Sequence, residues 1–154
     1  MATALGGNEV FEMAMGMERV GKDFYEALAL ACDNAQVTAF CTFAAREEAR
    51  HLATFTQMRD RWAGAARPGY VTPEAAEALT GLAKGRIQPD PVAVHKVAIG
   101  GNLKGAIHLA MQMEQDAINF YQALSVHLPD SAKVLEGIVS EEKNHLSRLR
   151  AMVV

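Results

Sequence analysis

The chain has 154 residues, of which 50% are hydrophobic and 21% charged, and its formal net charge is −3. This composition is typical of a single globular domain, residues 1–154, with enough apolar material for a core, and it argues against a disordered chain. No run approaches the roughly 18 apolar residues of a membrane helix, and the N-terminus does not resemble a secretory signal. We therefore expect a cytoplasmic protein that does not bind a membrane. Its arginines alternate with acids instead of forming a basic stripe, which argues against binding to nucleic acid.

The spacing of apolar residues predicts an all-α protein with four long helices. Strand alternation is almost absent, and Ala, Leu and Met recur three and four residues apart. Asn8 and Asp130 are the predicted N-caps of the first and fourth helices. The predicted helices span 8–31, 36–63, 102–126, and from 130 nearly to the C-terminus.

A long crossover, residues 64–101, separates the second predicted helix from the third. Proline, glycine and capping residues divide it into two short predicted helices, Pro73–Lys84 and Pro91–Ile99. Short turns join the first helix to the second and the third to the fourth, so each of these pairs is predicted to be an antiparallel hairpin. We expect an antiparallel four-helix bundle, in which the crossover acts as a lid or as a contact in a homodimer.

The two predicted hairpins share a sequence repeat. Residues 15–28, MGMERVGKDFYEAL, align without a gap on residues 111–124, MQMEQDAINFYQAL. The helix after each copy carries Glu-Glu-x-x-His-Leu, at 47–52 and again at 141–146. The chain is therefore two similar hairpins with the same polar residues at matching positions.

Each long helix has one stripe of residues, spaced three and four apart, that is predicted to face the core, and each stripe contains one glutamate. In the second and fourth helices a histidine follows one turn later. Four carboxylates in one apolar core repel each other and lose hydration worth several kcal/mol apiece, so a cation must lie among them. Two divalent ions match the number of ligands, and carboxylate with imidazole favours iron or manganese. The predicted ligands are Glu18 and Glu114 as terminal residues, Glu48 and Glu142 as bridges, and His51 and His145 as caps of one ion each.

The first glutamate of each Glu-Glu pair lies beside a predicted ligand but does not share its direction. Glu47 and Glu141 are rotated about 100° around the helix from Glu48 and Glu142. We expect them to contact solvent or the groups around the ligands, and not the metal itself. The two histidines also need oriented partners, which the sequence does not identify.

The predicted ligand set resembles that of the ferritin-like di-iron superfamily: Glu18, Glu48-x-x-His51, Glu114 and Glu142-x-x-His145. The motifs Met-Glu-x5-Phe-Tyr and Glu-Glu-x-x-His-Leu are most similar to its rubrerythrin-like members, over the four helices but not the crossover. The resemblance implies two iron ions, with manganese or a mixed pair as the alternative. It also implies that Tyr25 and Tyr121 donate hydrogen bonds to the carboxylates, the alternative being plain core packing. The implied function is that of a dinuclear iron peroxidase or ferroxidase, which reacts with hydrogen peroxide or dioxygen under oxidative or iron stress.

Three departures from the relatives limit what the resemblance implies. Typical rubrerythrins have a second glutamate one turn after the ligand of the third helix, where this chain has Ala117, so ligand exchange linked to redox state is not expected. They usually carry a rubredoxin-like cysteine domain, whereas this chain has no CxxC, so electrons must come from a separate donor protein. Bacterioferritins bind haem through a methionine where this chain has Ala49, so no haem is expected.

Two other classes of function remain open at this point. The first is iron binding and storage of the ferritin or bacterioferritin type, which requires a cage and loading beyond two iron ions per chain. The second is a metal-free structural or partner-binding bundle, which requires neither metal nor reaction with an oxidant. Metal content, iron loading and size-exclusion chromatography distinguish these classes from the oxidoreductase.

Overall fold

The computed structural model describes residues 7–64 and 90–153, together with Glu74, Glu77 and Ala78. The two long described ranges contain five α-helices and no strand, which confirms the predicted all-α class. Most of the predicted helix Pro73–Lys84 lies outside the described residues. The helices are α1 (Gly7–Ala31), α2 (Ala35–Gly64), α3 (Pro91–Ile99), α4 (Leu103–His127) and α5 (Ala132–Met152), with a 3₁₀ turn at Pro129–Ser131 before α5.

Side-chain caps explain where three of these helices begin. An Asn or Asp oxygen before each helix accepts a hydrogen bond from a backbone N–H of the first turn, which otherwise has no partner within the helix. Proline at the first position of α3 strengthens its start, because its fixed φ suits the helix and its missing N–H is not needed there. The three capping bonds are Asn34 to Val37 (3.0 Å), Asp90 to Val92 (3.0 Å) and Asn102 to Gly105 (2.9 Å).

Two predicted N-caps are wrong. Asn8 lies inside α1, which already includes Gly7. Asp130 lies in the 3₁₀ turn, and α5 begins only after Ser131, whose side chain makes no capping hydrogen bond. The cause is a backbone bond of 2.9 Å from the N–H of Ser131 to the carbonyl of Leu128, which spans three residues and tightens the turn before the α-helix starts.

The four long helices form two hairpins that pack into one bundle. α1 packs along α2, and α4 packs along α5, while α3 lies against both α1 and α4. The turns within the hairpins are short, so the paired helices run antiparallel. Gly101, with φ at 81°, turns the chain from α3 into α4 in the left-handed region that favours glycine. The architecture is that of the expected ferritin-like bundle, and none of its described helices is long and apolar enough to cross a bilayer.

A layer of polar side chains divides the core into two apolar clusters. Along α1, Phe11 belongs to one cluster and Leu28 to the other, and Glu18 lies between them in the chain. The predicted core-facing stripes are residues 11, 14, 18, 21, 25 and 28 of α1, 44, 48, 51, 55, 58 and 62 of α2, 107, 110, 114, 117, 121 and 124 of α4, and 135, 138, 142, 145, 149 and 152 of α5. They are buried apart from the half-buried Met58 and Met152 and from Trp62, whose side chain lies outside the described part. The spacing of three and four residues therefore brings one glutamate of each long helix to the middle of the bundle.

Candidate metal centre

All six predicted ligands meet in the polar layer at the centre of the bundle. Each of them is at most 4% exposed, although carboxylates and imidazoles are seldom buried so completely unless they are paired. One glutamate comes from each long helix, and α2 and α5 each add a histidine one turn later. The six are Glu18, Glu48, His51, Glu114, Glu142 and His145.

These residues form two overlapping groups of four. Within each group, one ligand atom from every residue lies within 4.8 Å of the others. Glu48 and Glu142, the two residues predicted to bridge the ions, belong to both groups. The groups are Glu18, Glu48, His51 and Glu142 on one side, and Glu48, Glu114, Glu142 and His145 on the other.

Both histidines point Nδ1 into the cluster. In His51 this atom lies 3.2 Å from an oxygen of Glu48, 3.2 Å from one of Glu142 and 3.4 Å from one of Glu18. In His145 it lies 3.1 Å from an oxygen of Glu142, and the oxygens of Glu114 and Glu48 are at 3.3 and 3.7 Å. Each imidazole therefore faces the three carboxylates of its own group.

Two buried atoms of the cluster lack the partners that such atoms need. Nδ1 of His145 and Oε2 of Glu142 are buried and lie 3.1 Å apart, but within the described part of the chain neither makes a well-aligned hydrogen bond to the other or to a third group. Buried polar atoms are nearly always paired, because desolvation without a bond costs about 1–3 kcal/mol. A cation between them would satisfy both atoms at once. The oxygen and nitrogen donors of the six residues suit iron or manganese, so the residues present fit the predicted metal pair.

The other ring nitrogen of each histidine bonds a glutamate on the facing helix. Nε2 of His51 lies 2.5 Å from Glu141 Oε2, and Nε2 of His145 lies 2.7 Å from Glu47 Oε2. Because a carboxylate accepts, each Nε2 carries the proton and donates it, which leaves the lone pair on Nδ1 when the ring is neutral. Glu47 and Glu141 therefore supply the partners that the sequence did not identify, and they contact the histidines and not solvent alone.

Two tyrosines hold the terminal carboxylates from across the bundle. The hydroxyl of Tyr25 donates a hydrogen bond to Glu114, and that of Tyr121 donates to Glu18. Burial, followed by the nearby carboxylates, raises the pKa of both phenols well above the usual 10. Both hydroxyls therefore stay protonated and act as donors, as the resemblance implied, although each serves the glutamate of the opposite hairpin.

When no metal is bound, some carboxyl and imidazole groups of the cluster hold protons, which reduce its negative charge. Burial and the charge of Glu142 raise the pKa of Glu114 to about 8 and that of Glu48 well above its usual 4.5. Burial acts to lower the pKa of His145, but its contacts with Glu114 and Glu142 outweigh this and raise the pKa to about 10. Burial favours protonation of Glu142 too, yet His145 and His51 lower its pKa to about 2. The cluster thus carries protons that a metal would displace.

A small cavity borders the cluster on the side of α1 and α4. This partly open cavity has a volume of about 30 Å³, enough to hold a water molecule. The four clustered glutamates and both tyrosines line it, but neither histidine does. Gly21 and Ala117, which are matching positions of the repeat, contribute no more than one methyl group there and so leave space beside the cluster. The remaining lining residues are Met17, Val20, Met113 and Asp116.

Comparison with known proteins identifies the family. The sequence model of the rubrerythrin family matches residues 9–153, a range that includes the four long helices except the first two residues of α1, and all six clustered residues. Neither a curated protein nor a solved structure is similar enough to give a match. Because the family match spans nearly the whole chain and its ferritin-like di-iron fold agrees with the buried glutamate and histidine cluster, the chain belongs to the rubrerythrin family.

Proposed function

We propose that the protein is a dinuclear iron oxidoreductase that reacts with hydrogen peroxide or dioxygen, as a peroxidase or a ferroxidase. The observation that carries the proposal is the sharing of Glu48 and Glu142 by two buried groups of four residues. Two iron ions, when bound, supply the two electrons that reduction of an O–O bond requires. The chain's own contribution is to hold, orient and enclose such a pair.

The surrounding residues fix the orientation of the proposed ligands. Tyr25 and Tyr121 each hold one terminal carboxylate, and Glu47 and Glu141 each hold one imidazole. Such outer partners set the direction and basicity of a ligand, and their loss typically weakens metal binding by about 10- to 100-fold. Apolar clusters on both sides of the polar layer keep bulk water away from it. This rigidity favours a site that keeps both ions when their charge changes.

The size of the cavity supports a small oxidant as the substrate. A space of about 30 Å³ beside the cluster accommodates a molecule of the size of water or peroxide. Met17, Val20 and Met113 contribute apolar atoms to its lining, which also includes the four carboxylates and both tyrosines. An oxidant that enters between α1 and α4 would therefore reach the face of the cluster that the histidines leave open.

Electrons for repeated turnover would come from a separate donor protein. The described clusters of potential ligands contain no cysteine, and the sequence has no CxxC pair. Reduction of hydrogen peroxide to two molecules of water consumes two electrons and two protons, so one reduced iron pair accounts for one turnover. The proposal therefore predicts a single oxidation without a donor and sustained activity only with one.

Anaerobic reconstitution with iron(II), followed by rapid mixing with hydrogen peroxide or dioxygen, tests the proposal. We expect two iron ions per chain and a single phase of oxidation, measured by absorbance, with at least one of the oxidants. The double variant E48A/E142A, checked for folding by circular dichroism, should neither bind the pair nor react. Iron(II)-loaded protein that resists both oxidants would refute the oxidoreductase. Loading far beyond two iron ions per chain would favour storage instead.

A further inference from the structure

One arginine on the outer face of the bundle joins the two glutamates that orient the histidines. Nη2 of Arg50 lies 3.0 Å from Glu47 Oε1 and 2.9 Å from Glu141 Oε1. We propose that Arg50 is a positioning residue that ties the two histidine ligands, and through them the two metal positions, into one unit. The inference rests on the proposed function only in taking His51 and His145 as metal ligands.

The contacts form an unbroken path between the two imidazoles. Glu141 bonds His51 through Oε2 and Arg50 through Oε1, and Glu47 bonds His145 through Oε2 and Arg50 through Oε1. Each carboxylate thus uses one oxygen inward and the other outward. A guanidinium nitrogen carries two N–H groups, so a single Nη2 donates to both carboxylates.

The positive charge of Arg50 also reduces the repulsion between Glu47 and Glu141. Glu47 on α2 and Glu141 on α5 would otherwise face each other as two anions at the edge of a cluster that already holds four carboxylates. A charge-assisted bond to each one is stronger than a neutral hydrogen bond and fixes which oxygen points to the histidine. The side chain of Glu141 is 39% exposed against 13% for Glu47, so Glu141 has more freedom to turn toward solvent without Arg50. The effect of losing Arg50 should therefore be larger at His51.

The Arg50 bridge, which is the contact of Arg50 with Glu47 and Glu141, breaks the internal symmetry of the chain. The position that matches Arg50 in the second copy of Glu-Glu-x-x-His-Leu is Asn144, an exposed residue. One residue from the first hairpin thus acts on both histidines, and no equivalent from the second hairpin duplicates it. Replacing Arg50 alone therefore removes both contacts of the Arg50 bridge.

The test replaces Arg50 by methionine, which keeps an unbranched apolar stem but removes every side-chain N–H donor and the positive charge. Arg46→Met is the matched control, because Arg46 is exposed one turn earlier on α2 and bonds neither glutamate. In the cobalt(II)-loaded protein, the Nε2–H protons of His51 and His145 should give separate, solvent-exchangeable NMR signals shifted by the metal. We expect R50M to shift both signals and to speed their exchange, most strongly for His51, and to lower the affinity for both ions on the order of 10-fold.

R46M should leave both signals and both affinities as in the wild type. Wild-type signals and affinities in R50M, or a change confined to one histidine, would overturn the bridge. The same two N–H groups in the ¹⁵N-labelled metal-free protein provide the second measurement, in which R50M should again speed exchange at both rings. Absence of metal binding by the wild type would refute the proposed function alone, whereas slow exchange at both rings of metal-free R50M would refute the bridge alone.

Discussion

The hydroxyl of Tyr25 on α1 donates its hydrogen bond to Glu114 on α4, across the bundle from its own helix. Tyr121 on α4 makes the reverse contact with Glu18 on α1. Each tyrosine lies seven residues after the glutamate of its own helix, but it holds the glutamate of the other. The terminal carboxylate of each predicted metal position is therefore oriented by the opposite hairpin.

Phenylalanine at either tyrosine should weaken a different metal position. Tyr25→Phe leaves Glu114 without its donor and should weaken the ion beside His145, by about 10-fold. Tyr121→Phe should do the same to the ion beside His51, so each variant is the control for the other. Cobalt(II) titrations that follow the N–H signals of the two histidines separate the positions. Weakening of the same ion in both variants would contradict the crossed arrangement.

Glutamine at a shared glutamate should affect both ions, while glutamine at a terminal one should affect a single ion. Glu48→Gln removes a charge that both groups of four use, and Glu18→Gln removes one that a single group uses. Metal analysis after gel filtration should therefore show loss of both ions in the first variant and of about one in the second. Two tightly bound ions in E48Q would show that Glu48 does not bridge.

Without metal, the protein should lose stability as the pH rises from about 4.5 to about 10. Glu114, with a pKa raised from 4.5 to about 8, and His145, raised from 6.5 to about 10, bind more protons in the folded state than in the unfolded one over this range. Excess protons on the folded state mean that stability falls with pH. Glu142, lowered to about 2, has the opposite effect between about 2 and 4.5. Thermal melts of metal-free protein across this range test the prediction.

Added metal should raise the melting temperature by an amount that grows with pH. The ions must displace the protons of the cluster, so their affinity rises as the pH increases. Binding to the native state alone adds about 4 kcal/mol at a free metal concentration a thousand times Kd. The measurement compares manganese(II)-loaded and chelated samples at mildly acidic and alkaline pH. Equal melting temperatures with and without metal would contradict a buried, metal-dependent cluster.

Alanine at Gly21 should stabilise the fold but lower the rate at which the site reacts with the oxidant. Its Cβ would lie 3.5 Å from Glu48 Oε1, an ordinary contact, and would fill part of the cavity. Within a helix this change typically adds about 0.5–1 kcal/mol. Gly137→Ala on α5 is the matched control, since its Cβ meets nothing within 4 Å. Both variants should melt at a higher temperature than the wild type, but only G21A should react more slowly in rapid mixing. Equal rates would show that this face is not the entrance.

The sequence predicted the bundle and its central cluster because both depend on helical periodicity. A spacing of three and four residues determines which side of a helix faces the core, and the repeat shows that Glu18 and Glu114 occupy matching positions. It does not determine which neighbouring helix a side chain reaches. The partners Glu47 and Glu141 were therefore predicted only to lie off the core-facing stripe, although the repeated glutamate pair was a signal that both copies share.

Helix caps and the contacts between helices were predicted less well than the core-facing sides of the helices. Asp130 has the side chain of an N-cap, but the proline before it and the short backbone bond of Ser131 place it in a 3₁₀ turn. Arg50 is one of the arginines that alternate with acids along the sequence, and it is largely exposed. Its role depends on the approach of α2 to α5, which no spacing within one helix reveals.

The crossed contacts mean that neither hairpin contains a complete site. Each one carries three of the four residues of its own group, and takes the fourth from the other hairpin as Glu48 or Glu142. The tyrosine and the glutamate that orient those residues also come from the other hairpin. An isolated hairpin would have to pair with a second one to assemble a full coordination sphere. The centre therefore has the connectivity of a two-fold dimer whose subunits have been joined into one chain by the crossover.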